Sequence, residues 1–185
     1  MRTLFVFIFA ALMSLPLAGQ RDETILRNPS LKLTGLWGGS TVRINNFTGD
    51  SDYTTGGFFT FEFNKNFLVG WDNYSIYASN DAIEDIKVST NGLLLGYAYS
   101  GYQVIHPVAY VSIGRASSRA DDLPKIQSFA GYASVGAEVN VFRWFKIGGE
   151  LGYRYIDPKD SWLEDVNLSS PYAGIKLKFG WSWGK

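Results

Sequence analysis

Ser128–Ile156 reads SFAGYASVGAEVNVFRWFKIGGELGYRYI, and its alternation decides the fold. Phe129, Ala133, Val135, Ala137 and Val139, then Phe145, Ile147, Leu151, Tyr153 and Tyr155, occupy odd positions and are apolar. The even positions carry Tyr132, Ser134, Gly136, Glu138 and Asn140, then Lys146, Gly148, Glu150, Gly152 and Arg154, a face of small, polar and charged groups. Period 2 means strand. Because both strands keep one parity, the turn between them has odd length, and Phe142-Arg143-Trp144 between Val141 and Phe145 fits a three-residue hairpin loop. In that register Glu138 is diagonal to Lys146, which predicts an ion pair between them.

Alternation does not say whether the apolar face meets a core or lipid. Phe145 at one strand end and Tyr153 and Tyr155 at the other frame the apolar positions. About ten residues of tilted strand rise about 25 Å, the height of the apolar band of an outer-membrane barrel between its aromatic girdles. The opposite face interleaves Gly and Ser with Lys, Glu and Arg, which suits a narrow interior where small residues make room for long charged ones. The apolar face is therefore assigned to lipid.

Working outward, the same unit recurs. Thr55–Phe63 and Phe67–Ala78 flank Asn64-Lys65-Asn66, with Phe59, Phe61, Phe63, Phe67, Val69 and Trp71 on one face and Glu62 and Asp72 on the other. Leu31–Ile44 is a strand with Leu31, Leu33 and Trp37 facing one way, Lys32, Thr34, Gly38 and Ser40 the other, and Leu36 breaking the pattern. Ile86–Tyr99 and Val104–Gly114 make a hairpin around Ser100-Gly101, and Leu168–Trp183 sets Ala173, Ile175, Leu177, Phe179, Trp181 and Trp183 against Tyr172, Gly174, Lys176, Lys178, Gly180 and Ser182. Asn45–Thr54, Ser79–Asp85, Arg115–Gln127 and Asp157–Asn167 read as longer loops.

The sum is an all-β chain of about eight strands, short turns alternating with long loops, which predicts a closed antiparallel up-and-down transmembrane barrel over 31–185. Residues 1–19, with Arg2, the apolar run Leu4–Met13 and Pro16-Leu17-Ala18-Gly19, read as a secretory signal peptide, and 20–30 as a short periplasmic leader. Removing Arg2 from 17 basic residues leaves one fewer than the 17 acidic ones, so no basic excess points to nucleic acid. The absence of Cys excludes a disulfide scaffold, a Cys-based zinc site and a thiol nucleophile.

Assigned to the lumen are Lys32, Lys146, Arg154, Lys176 and Lys178 against Glu62, Asp72, Glu138 and Glu150, a nearly balanced set that predicts an ion-paired, filled interior with no open pore. Trp71, Phe145, Tyr153, Tyr155, Trp181 and Trp183 are assigned to the aromatic girdle. His106, the one His, sits beside a short turn and six residues from Ser112, about 20 Å along a strand and too far for general-base catalysis. It is read as structural. The acidic loop residues Asp81, Glu84, Asp85, Asp157, Asp160, Glu164 and Asp165 follow no calcium-loop spacing and are read as solvated. No catalytic residue, cofactor or metal is assigned.

With the segments GAEVNVFRWFKIGGELGYRYI and FEFNKNFLVGW and the terminal strand in hand, the chain resembles the small outer-membrane β-barrels of the OmpA and OmpX type, and most of all those common in Bacteroidetes. The resemblance implies the outer membrane of a Gram-negative bacterium, contact with lipid and lipopolysaccharide, and a terminal signal for the barrel-assembly machinery. Tyr172, Gly174, Leu177 and Phe179 resemble that signal, although here the chain continues through Gly180 to Lys185. The expected role is structural or surface-interacting and non-enzymatic. Two alternatives stand beside it: a lipid A modifying enzyme centred on His106, and a soluble lipocalin-like carrier with the apolar face inward.

Overall fold

The computed structural model describes residues 31–45, 52–80, 83–119, 126–157 and 168–183. The expected signal peptide and leader, Asp81, Asp160, Glu164 and Asp165 lie outside them.

Eight strands follow in order: β1 Leu33–Asn45, β2 Asp52–Phe63, β3 Phe67–Asn80, β4 Ile83–Ala98, β5 Ile105–Arg119, β6 Ile126–Phe142, β7 Phe145–Ile156 and β8 Ser170–Ser182. Each pairs antiparallel with its neighbour, and β8 returns to β1, so the sheet is a closed barrel. Closure removes the edges that would leave unpaired backbone groups. Following opposite residues from Ile105 through Val139, Ile147, Leu177, Ser40, Gly57, Asn73 and Asn91 leads back to Arg115 on the same strand. That ten-residue stagger over eight strands tilts them by about 40°.

One end of the barrel is closed by short turns. Asn64 and Lys65 take the left-handed conformation (φ 50° and 61°). Asn64 also donates its N–H to the Lys32 carbonyl (2.9 Å) and accepts the Lys32 N–H on its Oδ1 (3.0 Å), tying the residue just before β1 to this turn. At the β6–β7 turn, Phe142 lies opposite Phe145, leaving two residues between them where three were expected. A register irregularity between Asn140 and Phe142 absorbs the extra residue, so the parity of the two strands holds as read.

Two expected loops are shorter than the sequence suggests. β5 runs to Arg119 and β6 begins at Ile126, so 115–119 and 126–127 of the expected loop are strand; β3 and β4 likewise extend to Asn80 and from Ile83. Ala116 and Ser118 are buried inside, but their outward neighbours Arg115 and Ser117 are polar, which erases the apolar alternation by which strands are recognised.

β1 departs most from its sequence reading. A register irregularity between Leu33 and Gly35 shifts the parity, so Thr34, Trp37, Thr41, Arg43 and Asn45 are buried inside and Val42 and Ile44 point out. Trp37, expected on the lipid face, is 1% exposed in the interior, and Leu36 conforms to the shifted pattern.

Outside, Val135 (65%), Leu151 (64%) and Ile175 (61%) belong to an apolar wall. Inside, the space is full. Trp37, Phe58, Leu68, Leu94, Ala98, Val108 and Tyr110 form an apolar cluster toward the short-turn end. Tyr74, Ile76, Val88, Ala116, Ala130, Tyr132, Ile156, Leu168 and Tyr172 form another toward the loop end. The lumen is thus more apolar than its assigned charges imply. Small residues admit the large ones: a Cβ on Gly152 would lie 2.6 Å from the Tyr172 ring, and one on Gly96 2.7 Å from Tyr110.

Candidate functional site: the barrel lumen

The polar side chains of the interior fall into layers along the axis. Nearest the short turns, Glu62 of β2 accepts hydrogen bonds from three neutral donors: Trp37 Nε1 (2.9 Å), Ser182 Oγ (2.6 Å) and Thr34 Oγ1 (3.1 Å). The β1 irregularity aims Thr34 and Trp37 at this carboxylate. Between it and the short turns opens a vestibule of about 970 Å³ lined by Trp37, Glu62, Lys65, Asn140, Lys146 and Ser182 among others.

The next layer centres on Glu138 of β6. Lys178 Nζ lies 3.2 Å from its Oε2, and the Tyr110 hydroxyl donates a short hydrogen bond to Oε1. His106 is fully buried, with Nδ1 3.1 Å from the Gln103 carbonyl and Nε2 3.5 Å from Glu138, a contact too poorly aimed for a full hydrogen bond. The expected Glu138–Lys146 pair is replaced: Lys178 reaches the carboxylate, while the Lys146 ammonium sits 4.5 Å over the Trp37 ring. Inward Trp37 offers Lys146 an aromatic face beside the vestibule, an arrangement the sequence reading excluded by placing Trp37 outside.

At mid-height Glu150 of β7 is the hub. Arg43 Nε donates to Oε1 (2.8 Å), while Lys176 Nζ (3.2 Å) and Ser134 Oγ (3.0 Å) meet Oε2. The Arg43 guanidinium stacks over Tyr74 (4.1 Å), Tyr172 (4.6 Å) and Tyr132 (5.2 Å), and Lys176 lies 3.5 Å over Tyr110. Asp72 accepts from Ser112 Oγ (2.9 Å). Toward the loops, Arg154 donates to the Leu168 carbonyl (2.7 Å), Thr54 Oγ1 (3.1 Å) and Ser170 Oγ (3.2 Å).

Eight of the nine residues assigned to the lumen are therefore buried within it: Glu62, Asp72, Glu138, Lys146, Glu150, Arg154, Lys176 and Lys178. Lys32 is not. It precedes β1 and is exposed beside the Asn64 turn, beyond Thr34, the first inward residue of the strand. Arg43 was missed, although Val42 and Ile44 on either side signal an inward residue. Ser112 serves Asp72 and His106 serves Glu138, so the two groups of the enzyme alternative are not brought together.

Among the girdle residues, Phe145 stacks on Phe179 (4.8 Å) at the short-turn end, where Trp181 and Trp183 are also outward. Tyr153 and Tyr155 are outward at the loop end, with Tyr155 against Phe129 (6.3 Å). Trp71 is also outward, but four residues into β3 and tilted against Phe59 (5.4 Å). Of the segment resembling an assembly signal, Leu177 and Phe179 face out. Tyr172 is buried under Arg43, and a Cβ on Gly174 would lie 2.9 Å from the Arg43 side chain.

No family model and no curated protein matches this sequence. Among solved structures, the barrel is similar to the outer membrane protein OprG from Pseudomonas aeruginosa, with TM-score 0.53 and 11% identity over 82% of this chain and 98% of that one. It also aligns with Neisserial surface protein A (TM-score 0.49, 16% identity, 79% and 93% covered) and with Ail, the attachment invasion locus protein of Yersinia pestis (TM-score 0.44, 10% identity, 80% and 97% covered). At these identities the likeness to OprG is one of fold: a closed antiparallel barrel of eight strands.

Proposed function

We propose that this chain is a non-enzymatic outer-membrane barrel of a Gram-negative envelope, secreted through residues 1–19, its short turns periplasmic and its loop end at the cell surface. The observation that carries this reading is the sidedness of the wall. Val135, Leu151, Ile175 and their neighbours face out around a closed sheet, while Glu62, Asp72, Glu138 and Glu150 are turned in together with Arg43, Lys176 and Lys178. In water that distribution exposes an apolar belt without compensation; in a bilayer it satisfies every backbone group and puts hydrocarbon against hydrocarbon. It also counts against the lipocalin-like carrier, which needs the apolar face inside.

The lumen reads as a strut. Glu62, Glu138 and Glu150 each have multiple donors or cations, and Trp37, Tyr74, Tyr110 and Tyr132 fill the space between them, so the interior holds the cylinder rigid and gives ions no continuous path. Phe145, Tyr153, Tyr155, Trp181 and Trp183 serve as interfacial anchors, and the Tyr172–Phe179 strand as the segment met by the assembly machinery. The lipid A enzyme is disfavoured because His106 is fully buried at the short-turn end.

Density-gradient separation of envelopes from a Gram-negative host tests this proposal. The mature protein is expected in the outer-membrane fraction, with lipid A mass spectra unchanged on expression. Recovery in soluble periplasm, or altered lipid A lost again in His106→Ala, overturns it.

A further inference from the structure

The apolar wall is not the same height all round. On β7 outward residues run from Phe145 to Tyr155, ten residues and about 25 Å of axial rise. On β3 the large apolar residues run from Phe67 to Trp71, on β4 from Tyr97 to Leu93, and on β2 from Phe63 to Phe59, each four residues and about 10 Å. Above them the same outward face is polar. One ladder row places Gly57, Asn73, Asn91 and Arg115 side by side, and the next places Thr55, Ser75, Ser89 and Ser117. Asn73, Asn91 and Arg115 are exposed, and the hydroxyl row is half-buried. Beyond both rows Tyr53 and Tyr77 stack at 4.9 Å, at the level where Tyr155 and Phe129 meet on the opposite side.

This side thus carries a polar shelf between two aromatic borders, Phe59 with Trp71 below and Tyr53 with Tyr77 above. Trp71 then marks the local hydrocarbon boundary on its own side of the barrel, which accounts for its place within the strand. A depression of about 450 Å³ opens in the shelf, floored at Gly57 and bordered by Thr55, Phe59, Trp71, Asn73 and Ser75.

Acyl chains cannot cover Asn73 and Asn91 without leaving their amides unsatisfied in hydrocarbon, and Arg115, above the outward Val111 and Ile113 of β5, stands at the upper edge of the shelf. We propose that the shelf is a binding site for the headgroup of an anionic glycolipid, drawn down the wall of β2–β5 from the loop-side leaflet. The residues present match that chemistry. Arg115 supplies a forked cation for a phosphate. Asn73, Asn91, Thr55, Ser75 and Ser89 supply donors and acceptors for sugar hydroxyls, and the Phe59–Trp71 pair offers an apolar seat beside the Gly57 floor. The acyl chains then lie against the shorter apolar wall below, and the bilayer thins on this side to match it. This inference rests on the outer-membrane reading.

The test is native mass spectrometry of the mature barrel in detergent with one of three added lipids at equal concentration: hexa-acylated lipid A, the same lipid without its phosphates, or phosphatidylethanolamine. The expected result is one retained lipid A, held at least fivefold more than either other lipid. Asn73→Leu/Asn91→Leu/Arg115→Leu should abolish this preference, and Val135→Asn on the opposite wall should leave it intact. Equal retention of the dephosphorylated lipid, full retention by the triple variant, or a wild-type dimer that the triple variant dissolves overturns the inference. Heat-dependent gel mobility of every variant shows that each is folded. A wild type that partitions out of membranes would instead remove the outer-membrane reading itself.

Discussion

Replacing Glu150 with Gln tests how the interior holds together, because one carboxylate there faces two buried cations. Arg43 and Lys176 stand 2.8 and 3.2 Å from its oxygens, and all three side chains are at most 4% exposed. With an effective dielectric constant near 20, those distances give about 6 and 5 kcal/mol of gross attraction. The substitution also removes the desolvation cost of the carboxylate, several kcal/mol, and leaves the two cations facing each other with Asp72 as the nearby acid. The net expectation is a loss of about 3–5 kcal/mol, the usual cost of orphaning a buried charge. Neutralising a cation at the same time should return much of it: Glu150→Gln/Lys176→Met leaves Arg43 over its three tyrosines with Asp72 to balance it. The pair should therefore be non-additive by about 1.5–3 kcal/mol. Reversible urea unfolding in phospholipid vesicles, followed by Trp fluorescence, measures all members of the cycle. A single-variant loss below about 1 kcal/mol, or strict additivity, would refute the hub role of Glu150.

Further outcomes follow from the same geometry. Val135→Arg, on the outer wall, should cost about 2–4 kcal/mol near the bilayer midplane, whereas Ser134→Ala one position away should cost about 1 kcal/mol, since Glu150 keeps its cations; the same unfolding assay separates them. Gly152→Ala, whose Cβ would meet the Ala133 carbonyl at 2.5 Å and Tyr172 at 2.6 Å, should destabilise by about 1–3 kcal/mol, while Gly149→Ala, with nothing within 4 Å, should be near neutral. Trp37→Phe removes the indole donor to Glu62 and should cost about 1–3 kcal/mol. In planar bilayers the purified protein should show no steady conductance steps, and regular ohmic steps would contradict a filled lumen.

The barrel was legible because lipid outside and a crowded interior impose opposite demands on alternate residues, most plainly on β6, β7 and β8. Legibility failed where one of those demands lapses. In β1 a single irregularity moved Trp37 and Arg43 inside, and parity gives no warning of such a shift except that Val42 and Ile44 flank a charge; Lys32 falls outside the lumen because β1 begins after it. Near the loops, Arg115 and Ser117 are polar on the outer face, so strands there look like loop. Partner choice in the lumen was beyond reach: Glu138 meets Lys178, two strands away on β8 and opposite Lys146, where the hairpin offered Lys146 itself, because second-neighbour contacts depend on the register of two successive pairings, which alternation within one hairpin does not specify.

The central claim is that the apolar face of a closed barrel meets lipid. Carbonate extraction of membranes, followed by gels of the retained fraction with and without boiling, tests it directly. Retention in the membrane with a mobility that changes on boiling is the predicted result; release by carbonate with a single heat-indifferent band would contradict it.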